Sequence, residues 1–173
     1  ISASHNTWAG VLYDGTVMVY DIRIKGNNKP IYQSTVRTAK HTDPVWQIRW
    51  NNDPNVKNLN FYSISSDGRV TNWTLMKNKL EAEEVIKLKL IIDENKGLVE
   101  NKKEAFMYGL AGGMCFDFNQ FQDHLFLVGT EEGKIHLCSK AYSGQYLETY
   151  EGHYLAVYSV KWNKFHPRIF LSC

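Results

Sequence analysis

The stretch NLNFYSISSDGRVTNWTL, residues 58–75, decides the fold of this chain. FYSIS from Phe61 reads as a short apolar strand, Asp67 and Gly68 as a turn, and RVTNWT from Arg69 as a returning strand of alternating residues. The unit recurs in LYDGTVMVYD from Leu12 and LFLVGTEEGKIHLCS from Leu125, and IFLSC from Ile169 begins it again. Look-alike runs precede the later copies: IRWNN around Trp50, FDFNQ around Phe118 and VKWNK around Trp162. Self-similarity at about 40 to 50 residues, with several short strands per unit, implies β-propeller blades rather than a single sandwich.

Anchored on the glycine turns, the spacing predicts an all-β chain. The first blade, near residues 1–39, takes strands at Trp8–Val11, Thr16–Asp21 and Ile31–Val36. The second, near 40–92, takes four, at Val45–Trp50, Asn60–Ser65, Arg69–Leu75 and Val85–Ile91. The third, near 111–150, repeats them from Met114 to Thr149, and the fourth, near 151–173, offers Val157–Trp162 and Arg168–Ser172. Two whole blades flanked by two incomplete ones make an arc of three to four blades. Propellers close with four to eight, so the expectation is a piece of a larger ring with unpaired strand edges. Two polar insertions interrupt the pattern, NNDPNVKN at 51–58 with Asp53 and Pro54, and a longer loop at 93–110.

At 173 residues, 43% hydrophobic and 13% aromatic, the chain has the composition of a folded domain. Its 20 basic and 18 acidic residues are interspersed, without the basic stripe that tracks phosphates, so nucleic acid is not an expected partner. No apolar run approaches the roughly 18 residues of a membrane span. Cys115, Cys138 and Cys173 are odd in number and far apart, which argues for a reducing compartment and against disulfides or zinc. His124, His136 and His166 have no carboxylate or cysteine at ligand spacing, so no metal is expected. GLAGGM at Gly109 lacks the Lys and Ser or Thr of a phosphate-binding loop and reads as a strand lead-in, so no cofactor is expected.

His41 and His153 each lie nine positions before a tryptophan, Trp50 and Trp162, a regularity that suggests a structural task. An indole only donates, so a buried Trp73 wants a hydroxyl such as that of Ser63. Ser63 can pass a hydrogen bond to His41, and Asp67 can accept from the other imidazole nitrogen. His41, Ser63, Asp67 and Trp73 occupy the places where WD-repeat proteins, which this blade resembles, carry a buried hydrogen-bond network. A hydrolase triad is the competing reading, but Ser63 lies inside a strand rather than at a G-x-S-x-G turn. The third blade departs from the pattern, with Cys138 and Ser139 where Trp and Asp would stand and no Gly-His pair before Met114. It is expected to rely on packing.

HTDPVWQIRW at His41, the 58–75 stretch, and above all LFLVGTEEGKIHLCSKAYSGQYLETYEGH at Leu125 resemble the WD-repeat region of axonemal dynein intermediate chains. Within that family they are most similar to the outer-arm branch, intermediate chain 1. Retention of Cys138 and Lys140 makes GTEEGKIHLCSK far more specific than a generic blade. The resemblance implies a non-catalytic subunit of a microtubule motor in the axoneme of a motile cilium or flagellum. It implies partners too: a dynein heavy chain, a second WD-repeat intermediate chain, and light chains through an N-terminal region not present here. A cytoplasmic dynein intermediate chain and an unrelated WD-repeat adaptor share the fold and stay open as alternatives. Trp8, Tyr13 and Tyr158, near loops or strand ends, are either partner anchors or blade core.

Overall fold

The computed structural model describes residues 2–4, 7–24, 26, 28–51, 57–90 and 109–173. The described strands group into antiparallel sheets whose strand order follows the chain. The first sheet holds β1 (Ser2–Ser4), β2 (Thr7–Val11), β3 (Val17–Asp21) and β4 (Tyr32–Gln33). The second holds β5 (Val45–Trp50), β6 (Asn60–Ser65), β7 (Arg69–Leu75) and β8 (Leu80–Lys87). The third holds β9 (Gly113–Phe118), β10 (Leu125–Thr130), β11 (Lys134–Ser139) and β12 (Glu148–Glu151), and the fourth pairs β13 (Val160–Trp162) with β14 (Phe170–Ser172). Successive four-stranded meanders of this kind form an incomplete WD40-type propeller arc, all-β and not a closed barrel.

Five expectations are corrected. The first sheet has four strands rather than three, because Ser2–Ser4 pairs with β2. Its last strand shrinks from Ile31–Val36 to Tyr32–Gln33, and Val36–Thr38 is a 3-10 turn boxed by reciprocal Thr35 and Thr38 hydrogen bonds. Val36 is β-branched but 91% exposed, so nothing buries it as a strand residue. In the second sheet the outer strand runs over Leu80–Lys87, not Val85–Ile91. LEAEEVIK hides its strand character because an outermost strand keeps charges on its open side, which discourages edge-to-edge pairing. In the fourth sheet β13 begins at Val160 rather than Val157. Val157 is fully buried, and its N–H donates instead to the Thr130 carbonyl of the third sheet at 3.0 Å. β14 likewise starts at Phe170 rather than Arg168. Of the expected insertions, Asp53, Pro54 and residues 93–108 lie outside the described residues.

The core lies between sheets. Val17 and Val19 of β3 pack against Ile48, Trp50, Phe61 and Trp73 of the second sheet. Ile64, Val70 and Ile86 meet Phe116, Phe126 and Val128 of the third. Cys115, Leu127 and Ile135 meet Val157 and Val160 of the fourth. Each strand therefore needs apolar residues toward a neighbouring blade, which explains why all six residues of β6, Asn60–Ser65, are buried.

Sheet spacing is set partly by two turn glycines. Gly15 has φ 82° and Gly133 φ 81°, values that side chains rarely adopt. A Cβ on Gly15 would run into the His41 carbonyl, and one on Gly133 into that of His153. Each turn thus rests directly on the backbone that leads into the next blade.

Candidate functional site

The His41, Ser63, Asp67 and Trp73 side chains come from four successive pieces of the second sheet: the segment entering β5, the middle of β6, the β6–β7 turn and β7. Antiparallel pairing sets Phe61 opposite Trp73 and Ser63 opposite Thr71. The Trp73 indole N–H donates to Ser63 Oγ at 2.7 Å. Ser63 Oγ lies 2.7 Å from His41 Nε2, and His41 Nδ1 lies 2.9 Å from Asp67 Oδ2. One proton arrangement satisfies all of these contacts: Ser63 donates to Nε2, and the Nδ1–H of His41 donates to the carboxylate.

Asp67 is the terminus of this relay. It also accepts from the backbone N–H of Thr42 at 3.1 Å and from the Arg69 side chain at 2.6 Å, while Arg69 reaches the Lys40 carbonyl at 3.0 Å. Burial alone would raise the Asp67 carboxyl. Hydrogen bonds from His41 and Arg69 outweigh it and hold the group well below the usual carboxylate range.

Chemically the constellation is closed. Ser63 is fully buried, and its hydroxyl already accepts from Trp73 and donates to His41, so no lone pair faces an approachable carbonyl. Among the described residues no group of three or more His, Cys, Asp or Glu side chains is placed to hold a metal ion. No described helix is long and apolar enough to cross a membrane.

The other sheets carry the pattern unequally. Phe126 pairs with Cys138 and Val128 with His136, so Val128 stands where Ser63 does and Cys138 where Trp73 does. Both are fully buried and apolar. His136, one pair along, bonds Thr149 Oγ1 at 2.9 Å and stacks on Tyr146 at 3.8 Å. Burial, aided by the Lys134 charge, lowers the His136 imidazole to about 4. The fourth sheet restores the first link, with His153 Nε2 2.8 Å from Ser172 Oγ. Sequence reading missed Ser172, although FLS at Phe170 lines up with FYS at Phe61.

A second polar feature, also missed, ties the first strands of successive sheets together. Gln47 Oε1 of β5 accepts the Phe116 N–H of β9 at 2.7 Å, and Asp117 Oδ2 of β9 accepts the Trp162 N–H of β13 at 2.9 Å. Asp117 Oδ1 lies 3.4 Å from both Arg49 and Lys161, so one carboxylate of the third sheet contacts the second and the fourth. Burial raises its pKa despite the Trp162 N–H and the Arg49 charge. The detectable signal was a lone carboxylate inside the apolar run FDF. Trp8, Tyr13 and Tyr158 are 55%, 80% and 72% exposed; Trp8 lies on the face of the first sheet turned away from the second, at the register position that buried Phe61 holds in the second sheet.

No family model matches the chain. Curated relatives do. It is 52% identical over 160 residues to "Dynein intermediate chain 2, ciliary" of Heliocidaris crassispina, covering 92% of this chain and 22% of that protein. It is 52% identical over 162 residues to "Dynein, 78 kDa intermediate chain, flagellar outer arm" of Chlamydomonas reinhardtii, covering 92% and 23%. For "Dynein axonemal intermediate chain 1" of Bos taurus the identity is 48%, covering 93% and 22%. Along its own length, the chain belongs to the axonemal dynein intermediate chain family.

The segment spans about a fifth of the length of these relatives. A crystal structure of the computationally designed Ika8 protein superposes with a TM-score of 0.61 at 17% identity, covering 99% of this chain and 41% of that one. That likeness concerns the fold alone. In this dynein intermediate chain segment, the residues that set LCSK apart from a generic blade have defined places. Cys138 is core, and the Lys140 ammonium sits 4.6 Å from the Phe118 ring centroid and 5.3 Å from that of Tyr62. Lys140 thus pins the third sheet to the second through a cation–π contact.

Proposed function

We propose that the chain is part of a non-catalytic scaffold subunit of axonemal outer-arm dynein, working in a motile cilium or flagellum. The observation that carries this reading is the 52% identity, over 92% of the chain, to a protein described as a flagellar outer-arm intermediate chain. In this reading the propeller binds the tail of a dynein heavy chain and a second WD-repeat intermediate chain, light chains attach through a region outside this segment, and ATP hydrolysis belongs to the heavy chain.

The described geometry supports a platform rather than a catalyst. Sheets tied through side chains and turn glycines hold their loops at fixed angles, as a binding face requires. In this reading the His41, Ser63, Asp67 and Trp73 network is structural, fixing the β5 entry segment against β6 and β7. A heavy-chain contact would bury apolar and aromatic side chains at its centre with charges at its rim.

Affinity purification of the tagged full-length protein from salt-extracted axonemes, with every copurifying chain identified, tests the assignment. Recovery of a dynein heavy chain and a second intermediate chain is the expected result. Recovery of cytoplasmic dynein, or of an unrelated complex, would overturn it.

A further inference from the structure

One end of the arc carries the turns between the second and third strands of each sheet, and there an aromatic and acidic row crosses three blades. Tyr13, Ser66 and Glu131 each stand two residues before a turn glycine, so they recur at one height in successive sheets. Trp46, at the start of β5, joins them. Its indole N–H donates to Ser66 Oγ at 2.7 Å, and Ser66 Oγ–H donates to Glu131 Oε1 at 2.6 Å. Tyr13 stands edge-on to the Trp46 ring, with centroids 6.4 Å apart and an interplanar angle of 88°. Tyr13 is 80% exposed and Trp46 47%, and Glu131 is exposed as well.

Charge divides between the two ends. Asp14, Asp43, Asp67, Glu131 and Glu132 lie at this end, and its cations are already bound: Lys40 to Asp14 at 3.1 Å, Arg69 to Asp67 at 2.6 Å and Lys134 to Glu151 at 2.8 Å. The described loops at the opposite end, between first and second or third and fourth strands, carry Lys57, Lys77, Lys79, Lys164 and Arg168 against Asp123. Antiparallel topology alone separates the two sets.

We propose that this row is a docking site for an arginine or lysine side chain of a partner polypeptide, held between the Trp46 and Tyr13 rings and the Glu131 carboxylate. An aromatic face attracts a cation, and an adjacent carboxylate supplies a charge-assisted hydrogen bond in fixed geometry. Ser66 orients both groups by bonding each of them. The acidic surroundings favour a basic segment and repel an acidic one, which decides the partner's chemistry. The inference deepens the scaffold reading by naming what one face recognises, and it rests on that reading only for the complex in which it is tested.

The test uses the full-length protein in its assembled complex, with a photoreactive benzoylphenylalanine replacing Tyr13. After irradiation the crosslinked partner segment is sequenced. The expected segment contains Arg or Lys, Glu131→Lys lowers the crosslink yield about tenfold or more, and reversing the partner's basic residue to Glu restores it. Glu131→Gln and Trp46→Phe, each checked for an unchanged unfolding midpoint, give intermediate losses. A segment without basic side chains, a yield indifferent to Glu131→Lys, or no crosslink at all overturns the proposal. If dynein chains copurify but no basic segment crosslinks, this site fails and the scaffold reading stands. If a basic segment crosslinks in a complex without dynein, the site stands and that reading fails.

Discussion

The Asp117 carboxylate reaches across the boundary between two sheets to accept the backbone N–H of Trp162, at 2.9 Å. The same group faces Arg49 and Lys161, so deleting it strands a buried N–H and loosens two cations. Asp117→Ala is expected to lower stability by about 1–3 kcal/mol. Asp117→Asn keeps an acceptor for Trp162 and should cost less. Denaturant unfolding of the full-length protein ranks the two, and equal losses would show that the backbone bond contributes nothing.

Ser63→Ala removes the one atom that both Trp73 and His41 use. The indole N–H and an imidazole nitrogen are then buried without partners, at an expected cost of about 1–3 kcal/mol. Cys138→Ser in the third sheet adds a hydroxyl where the surroundings are apolar, and is expected to destabilise as well. Thermal melts followed by tryptophan fluorescence check both, and a Ser63→Ala melt indistinguishable from the parent's would remove the network from the stability account.

Acid sensitivity has two windows. His136 titrates at about 4 in the fold against 6.5 unfolded, so the unfolded chain binds the extra proton between those values. Stability is therefore full above pH 6.5 and falls as pH drops toward 4, by roughly 3 kcal/mol in all. The depressed Asp67 carboxyl acts lower: its contribution is complete above the ordinary carboxylate value of 3.8 and is lost below it. Urea unfolding between pH 7 and 4 should show a slope that His136→Gln flattens and Asp67→Asn does not.

Gly15→Ala and Gly133→Ala force a side chain into a left-handed backbone and against a neighbouring carbonyl. The backbone conformation alone costs about 1–2 kcal/mol, and the carbonyl adds to it. Gly144→Ala, where a Cβ would meet nothing within 4 Å, is the matched control and should be near neutral. Midpoints from chemical denaturation separate the three.

Cys115 and Cys138 are buried thiols, pushed up by that burial to about 11 and about 12. Neither presents thiolate near neutral pH. Iodoacetamide labelling mapped by mass spectrometry should leave both unmodified in the native protein and modify both after denaturation. Native labelling of Cys138 would contradict its placement in the core.

The bounds of β5, β6 and β7 were legible to the residue because the turn glycine and an apolar face fix them together. β8 was not, because Glu81, Glu83 and Glu84 give an outer strand the composition of a loop. The meeting of His41, Ser63, Asp67 and Trp73 was anticipated from the resemblance of this blade to WD repeats, with donor and acceptor bookkeeping in support. Gln47 and Asp117 escaped that reasoning since their partners, Phe116 and Trp162, offer backbone N–H groups in the next sheet, and a backbone donor leaves no trace in residue identity. Trp46 was hidden for the opposite reason: a tryptophan at the head of an apolar strand reads as core, yet it is 47% exposed.

The Gln47 and Asp117 bonds fasten the sheets along their first strands, and on the outer side the Tyr32 hydroxyl donates to the Met76 carbonyl at 2.8 Å and the Tyr146 hydroxyl to the Lys89 carbonyl at 2.9 Å. Load applied to the arc is then shared between ties on the first-strand side and ties on the outer side. An arc tied on both sides passes tension from one blade to the next without altering its curvature.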